Sequence, residues 1–171
     1  MSDEVLVAYA TRNESTRGIA AAVAEVLAAA GVKARLEAVG AVGDLRAFRA
    51  VIIGCCVFEE GWMPGARAFL AAHEHQLEAM PVWLFVSGPE DPLPEGAVVD
   101  VPPDLVAVIE RISPRDVALF AGSLQPHHVG TGLRILSKLA RSSFTEHRDW
   151  GAVERWAEQI AALTAQGKEV V

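Results

Sequence analysis

The chain has 171 residues, of which 51% are hydrophobic, and a formal net charge of −7 at pH 7. This length is most simply one domain with a sizeable core, and the acidic balance disfavours a general nucleic-acid-binding protein and favours basic partners. Neither a secretory leader nor an apolar stretch of membrane-spanning length is evident, so we expect a cytoplasmic protein without an integral membrane segment.

The first forty residues predict a strand, a helix and a second strand. Residues 5–10 are a continuous apolar run, which is typical of a buried strand. Apolar residues at helical spacing predict a helix that begins near Ser15 and ends at Gly31. Charged and apolar residues then alternate over residues 32–39, which predicts a half-exposed strand at a sheet edge.

The middle of the chain predicts two buried strands separated by a helix. Residues 44–48 are expected to form one short helical turn, and the apolar run 50–55 a central strand. Residues 64–79 predict a helix with proline in its first turn, and residues 81–87 another buried strand. The helix is expected to turn four side chains inward: Ala68, Phe69, Ala72 and Leu77.

The last part of the chain continues the alternation of strands and helices. Residues 88–103 are rich in proline and acid and predict an ordered surface loop, after which Asp104 is expected to cap a helix over 105–112. Residues 117–122 predict the fifth strand, and Asp149 is expected to cap a final helix. This alternation predicts a doubly wound α/β sheet with right-handed crossovers.

The junction between the first strand and the first helix is typical of an anion site. Main-chain N–H groups, hydroxyls and the helix dipole all favour an anion at such a junction. The junction consists of Thr11, Arg12, Asn13, Glu14, Ser15 and Thr16. It matches neither the nucleoside-triphosphate loop nor the dinucleotide fingerprint, so a terminal monophosphate such as that of FMN suits it best. The alternative is a capped helix start with an empty loop.

Five segments resemble, in the same order, the flavodoxin family: residues 8–20, 51–58, 73–87, 119–124 and 149–150. Within that family the chain resembles the flavodoxin-type, menaquinone-linked protoporphyrinogen oxidases and their uncharacterised relatives. The resemblance implies one flavodoxin-like domain over residues 1–171. It further implies a five-stranded parallel sheet of order 2-1-3-4-5, helices on both faces and one noncovalently bound FMN.

The resemblance also implies where the flavin would lie. In flavodoxins the first loop holds the phosphate, and the loops after the third and fourth sheet strands flank the flavin ring. Here those two loops contribute Cys56, Val57, Phe58, Trp62, Ser87, Gly88 and Pro89. Phe58 or Trp62 could stack on the ring, and Gly88 permits a close backbone approach. The alternatives are inert packing of Cys55 and Cys56 and a helix-start packing role for Trp62.

The phosphate loop departs from the flavodoxin pattern Thr/Ser-x-Thr-Gly-x-Thr at two positions. Asn13 stands where threonine is common, and Glu14 stands where glycine is usual. The flavodoxin that serves ribonucleotide reductase has a similar loop with glutamate, so we expect the Glu14 carboxylate to face solvent. No metal site is predicted, since the vicinal pair His127-His128 lacks ligand spacing and is better explained by solvated or capping histidines.

Residues from Thr131 to Arg141 predict a basic amphipathic helix, which could dock on a membrane surface or a partner, or simply pack beside the fifth strand. The function expected is electron transfer, or small flavin-dependent oxidoreductase activity, with bound FMN and no assigned catalytic residue. The redox partner would be a protein or a small donor or acceptor such as a quinone. Two alternatives stay open: a protoporphyrinogen oxidase of haem biosynthesis, and a flavin-free interaction or regulatory domain.

Overall fold

The computed structural model describes residues 2–10, 14–58, 61–62, 64–139 and 149–166. Its parallel sheet has the order β2-β1-β3-β5-β6, with a short β4 paired antiparallel to the end of β3. The strands are β1 (Val5–Ala10), β2 (Ala34–Ala38), β3 (Ala50–Phe58), β4 (Gly61–Trp62), β5 (Val82–Ser87) and β6 (Asp116–Phe120). Numbering only the parallel strands gives 2-1-3-4-5, so the predicted doubly wound sheet is confirmed.

Helices cover both faces of this sheet. They are α1 (Ser15–Ala29), α2 (Pro64–Glu78), α3 (Pro103–Ile112), α4 (Thr131–Leu139) and α5 (Trp150–Gln166). One apolar cluster joins α1 and α5 to one face, and a second joins α2, α3 and α4 to the other. Within the described part of the chain, no helix is long and apolar enough to cross a membrane.

Burial of the strands explains their sequence patterns. The central strands β3 and β5 lie between two helical layers, which is why continuous apolar runs encode them. The predicted edge strand is confirmed as β2, where Arg35 lies 2.8 Å from the Glu4 carboxylate on the half-exposed border. At the other side of the sheet, the indole Nε1 of Trp156 donates to Asp116 Oδ2 at 2.9 Å.

Gly54 lies in the middle of β3, where the core leaves no room for a side chain. A Cβ atom there would lie 2.0 Å from Cζ of the Phe85 ring on the neighbouring strand. That ring packs edge-on against Trp156, with 5.9 Å between the ring centroids. The glycine therefore allows a large aromatic ring to cross β3 beneath α1 and α5.

Several predicted boundaries were wrong. The strand predicted over 50–55 extends to Phe58, so Cys56 and Val57 are strand residues, and the β3–β4 hairpin was not predicted. Helix α3 begins at Pro103, which places Asp104 in its first turn rather than at its cap. Asp149 does cap α5, because its Oδ1 accepts the Ala152 N–H at 3.2 Å.

The predicted inner face of α2 was half right. Phe69 and Leu77 are buried, but Ala68 and Ala72 are exposed. Ala66 and Leu70 take the remaining inner positions. Alanine occurs on both faces of this helix, so its apolar pattern does not fix which face is buried.

The loop before α3 is ordered, as predicted, by contacts with the segment before α4. Val99 forms an isolated parallel bridge with Val129, and its N–H donates to the His128 carbonyl at 2.7 Å. Asp100 Oδ1 accepts the N–H groups of Val101 at 2.8 Å and Leu133 at 2.9 Å. Asp100 thus caps α4 from a different segment of the chain.

Candidate functional site

The carboxyl ends of β1, β3 and β5 converge at one edge of the sheet. The chain passes from β1 to β2 in one direction and from β3 to β5 in the other, so the strand order reverses between β1 and β3. Ligands of doubly wound sheets bind outside the strand ends at such a reversal. The three loops predicted to meet there do follow these three strand ends.

Glu14, which directly precedes α1, turns its carboxylate toward solvent. Glu14 precedes the helix in the left-handed conformation, with φ 61°. Its side chain is 72% exposed and accepts a hydrogen bond from Arg17 at 3.0 Å. The predicted outward orientation of Glu14 is therefore what the structure shows, while Thr11, Arg12 and Asn13 lie outside the described residues.

Two hydroxyls predicted to belong to separate loops meet beside α1. Thr16 and Ser87 are fully or almost fully buried, and their Oγ1 and Oγ atoms are 2.9 Å apart. Ser87 Oγ also lies 3.5 Å from the Cys55 carbonyl oxygen. Ser15, the first residue of α1, is half-buried at the same end of the helix.

The two cysteines lie on opposite faces of β3. Cys55 packs in the cluster beneath α2, and burial raises the pKa of its thiol well above the ordinary value. Cys56 stands opposite Ser87 in the strand register and is 8% exposed. The packing alternative therefore accounts for Cys55, whereas Cys56 borders the candidate site.

At Phe58 and Trp62, the two aromatic positions of the β3–β4 hairpin, the structure describes the backbone and not the side chains. Val57 pairs with Trp62, and Phe58 pairs with Gly61. Val57 is buried on the α2 face of the sheet. The predicted stacking of Phe58 or Trp62 on a ring concerns side chains outside the described part of the structure.

The loop after β5 is held by the loop after β6. The Gly88 N–H donates to the Phe120 carbonyl at 2.9 Å, and a Cβ at Gly88 would lie 1.8 Å from the Ala121 carbonyl oxygen. The Pro89 carbonyl accepts both the N–H and the hydroxyl of Ser123, each at 2.8 Å. Loop packing thus already requires Gly88, and Pro89 has no N–H to offer a ligand.

A cavity of about 510 Å³ opens between these two loops, lined in part by Glu90, Leu93 and His128. His128 is buried, and its Nδ1 accepts the Gln125 N–H at 3.2 Å. It is a capping histidine, as the sequence favoured, while His127 is exposed. Among the residues that the structure describes, no three His, Cys, Asp or Glu side chains come together as a metal site.

The apolar face of the basic helix α4 packs against the sheet. Leu133 and Leu136 are buried against the sheet, and Arg134 Nε donates to the Val129 carbonyl at 3.1 Å. Lys138 is exposed. Arg141, the other end of the predicted helix, lies outside the described residues.

Sequence reasoning missed the residues that support the loops. Ser123 binds the Pro89 carbonyl, and Asp100 caps α4. A signal for the first existed: Gly88 directly follows β5, and Gly122 comes two residues after the end of β6 with a positive φ of 60°. Glycines at the ends of adjacent parallel strands indicate loops that pass close to each other.

Comparison with known proteins assigns the family. Among solved structures, the fold resembles rubredoxin oxygen:oxidoreductase from the anaerobe Desulfovibrio gigas, with TM-score 0.62, 16% identity and coverage of 99% of this chain and 38% of that one. The chain thus spans well under half of that protein. A mutant flavodoxin from Pseudomonas aeruginosa gives TM-score 0.60 and 14% identity, over 95% of this chain and 99% of the other. A flavodoxin from the domain Archaea gives TM-score 0.58 and 13% identity, over 95% and 99%.

Identities this low show the shared fold alone, and no curated protein matches the chain. The comparisons add no support for a relationship to the protoporphyrinogen oxidases. The family model described as a flavodoxin domain, in contrast, matches residues 6–149. The chain belongs to the flavodoxin domain family.

Proposed function

We propose that this protein binds FMN at the carboxyl edge of its sheet and transfers electrons between redox partners. Bound FMN would supply one- and two-electron chemistry, while the protein sets its orientation and potential. The observation that carries the proposal is the outward carboxylate of Glu14, bonded to Arg17 at the start of α1. An inward carboxylate at this position would repel a phosphate.

The phosphate end of the candidate site fits the group. The first-turn N–H groups of a helix have no carbonyl partner within the helix, and the dipole there favours an anion. Ser15 adds a hydroxyl in the first turn of α1. We therefore assign phosphate binding to the Thr11–Thr16 loop, with Ser15 and the main-chain N–H groups of Ser15 and Thr16 as donors.

Among the described residues, the loop after β5 offers few main-chain donors to the ring. Gly88 gives its N–H to Phe120, and Pro89 has none. The ring would be flanked on one side by Cys56 and the β3–β4 hairpin with Phe58 and Trp62. On the other side it would be flanked by the loop that begins at Ser87. Because this loop supplies little main-chain recognition at residues 88 and 89, most of the affinity should come from the phosphate.

Titration with FMN and riboflavin tests this assignment. Riboflavin, which lacks the phosphate, should bind at least about tenfold more weakly, because a hydrogen bond to a charged group contributes about 1.5–3 kcal/mol. Ser15→Ala should weaken FMN binding by about 1.5–3 kcal/mol and leave riboflavin binding unchanged. Flavin fluorescence quenching measures both affinities, and the visible spectrum shows whether flavin is bound.

The matched control is Ser137→Ala, which removes a hydroxyl bonded within α4, away from the strand ends. Equal affinities for FMN and riboflavin would refute the phosphate assignment. Purified protein with neither a flavin spectrum nor flavin binding would favour the flavin-free interaction domain instead. A redox protein or a small electron donor or acceptor as partner, and a cytoplasmic location, stay predictions.

A further inference from the structure

The Thr16–Ser87 contact joins two elements that are far apart in sequence. Thr16 is in the first turn of α1, and Ser87 ends β5, 71 positions later. Strand β3 lies between β1 and β5. Ser87 Oγ lies 3.5 Å from the carbonyl oxygen of Cys55, which belongs to β3. The two hydroxyls therefore connect the helix start, the central strand and the loop after β5.

Counting hydroxyl protons shows what Thr16 can offer a ligand. Each hydroxyl donates one hydrogen bond. If Ser87 donates to Cys55, Thr16 must donate to Ser87 and has no proton left. If Ser87 donates to Thr16, the remaining proton belongs to a side chain with no exposed surface. In either arrangement, the Thr16 side chain serves its buried partner.

The neighbours of Ser87 make its position matter for the next loop. Gly88 follows directly, and its N–H donates to the Phe120 carbonyl. It also lies so close to the Ala121 carbonyl that a Cβ atom at this position would clash. A shift of Ser87 would thus move a backbone that has little space to adjust. On the other strand, Cys56 stands opposite Ser87 in the register and borders the same edge.

We propose that the Thr16–Ser87 pair is a positioning device that couples the phosphate loop to the loop after β5, so that loss of either hydroxyl disturbs ligand contacts at both. The inference rests on the proposed function. The Thr16 hydroxyl is thereby assigned to Ser87 and not to the phosphate. The Thr16 main-chain N–H, in the first turn of α1, remains a proposed phosphate donor.

Riboflavin is the decisive probe, because it has no phosphate for Thr16 to contact. Thr16→Val removes the hydroxyl at nearly constant volume, and Ser87→Ala removes its partner. Each should weaken riboflavin and FMN alike by about five-fold, the scale of one hydrogen bond. The double variant should be no weaker than either single variant, because residues that share one contact are not additive.

Two further measurements separate positioning from a loss of stability. Thr16→Val should shift the visible absorption band of bound FMN, and Thr16→Ser should restore it. The matched control is Thr164→Val, because the Thr164 hydroxyl is also buried in a helix and donates to the Ile160 carbonyl at 2.9 Å. This variant should lower the free energy of unfolding without moving the band.

The possible failures are distinguishable. Wild-type protein that binds no flavin would refute the proposed function and the coupling with it. Flavin binding in which Thr16→Val weakens FMN alone, with riboflavin affinity and the absorption band unchanged, would refute only the coupling and make Thr16 a direct phosphate donor. Additive losses in the double variant would likewise overturn the coupling.

Discussion

At the scale of single residues, Glu14 combines an unusual backbone with a conventional ion pair. Its φ of 61° is disfavoured for any residue with a Cβ, and the carboxylate bonds to Arg17 in solvent. Glycine is usual at this position of the flavodoxin phosphate loop, and the left-handed backbone gives the physical reason for that preference. Residue 14 therefore affects the backbone turn into α1 more than it affects the charge near the candidate phosphate position.

We expect Glu14→Gly to stabilise the protein slightly and to leave FMN affinity almost unchanged. Relief of left-handed strain contributes about 1–2 kcal/mol, and the greater entropy of glycine in the unfolded chain offsets about 0.5–1 kcal/mol of it. Urea denaturation and FMN titration measure the two effects. Glu14→Gln is the control, since it removes the charge and keeps the strain; several-fold tighter FMN binding by Glu14→Gln would show that the carboxylate acts at the phosphate.

The buried thiol of Cys55 predicts a dependence of stability on alkaline pH. Its pKa in the folded protein is raised well above 9.0 by burial, so the folded state keeps a proton that the unfolded chain loses above about pH 8.5. The resulting stabilisation is present below that pH and is lost as the pH rises.

The free energy of unfolding should thus fall between pH 8 and pH 10 by more in the wild type than in Cys55→Ala. The slope of the difference should approach about 1.4 kcal/mol per pH unit. Chemical denaturation at each pH gives both curves. Parallel curves for the two proteins would contradict a buried neutral thiol.

At the scale of elements, α4 depends on a cap that its own sequence does not contain. Asp100 accepts the Leu133 N–H, and the glycine at position 130 leaves space for the carboxylate, because a Cβ there would lie 2.2 Å from Asp100 Cγ. Asp100→Ala should therefore cost about 1–2 kcal/mol. It should also speed hydrogen exchange at the Leu133 amide, as measured by nuclear magnetic resonance.

Asp104→Ala is the matched control for this cap. Asp104 is also an aspartate near a helix start, but its exposed carboxylate pairs with Arg67 on the surface. Surface pairs contribute about 0–1 kcal/mol, so this variant should cost less and leave the Leu133 amide protected. Equal losses in the two variants would remove the special role of Asp100.

At the scale of the whole molecule, the sheet could be predicted because burial leaves a strong pattern. Strands such as Val5–Ala10 lie between two layers of helices and are apolar throughout. The strand order came from the family resemblance, since apolar runs do not encode which strands are neighbours. The end of β3 was missed because Cys56, Val57 and Phe58 suit a strand and a ligand loop equally well.

Sequence patterns predict the orientation of single side chains near the candidate site, but not the hydrogen bonds between distant segments. The outward side chain of Glu14 agrees with the favourable spacing to Arg17 three positions later on a helix. The Thr16–Ser87 bond and the Asp100 cap join residues 71 and 33 positions apart. No local pattern marks either pair, because each depends on how distant elements pack.

The segment between β5 and α3 is held by hydrogen bonds at both ends, which makes it suitable for the insertion of a foreign peptide. Gly88 is bonded to Phe120 and Val99 to His128, so the exposed turn at Glu95 lies between two fixed points. Doubling the length of a flexible loop between fixed ends costs only about 0.6 kcal/mol. A peptide epitope or a dye-labelling sequence inserted after Glu95 should thus be tolerated without displacing the fixed points on either side of it.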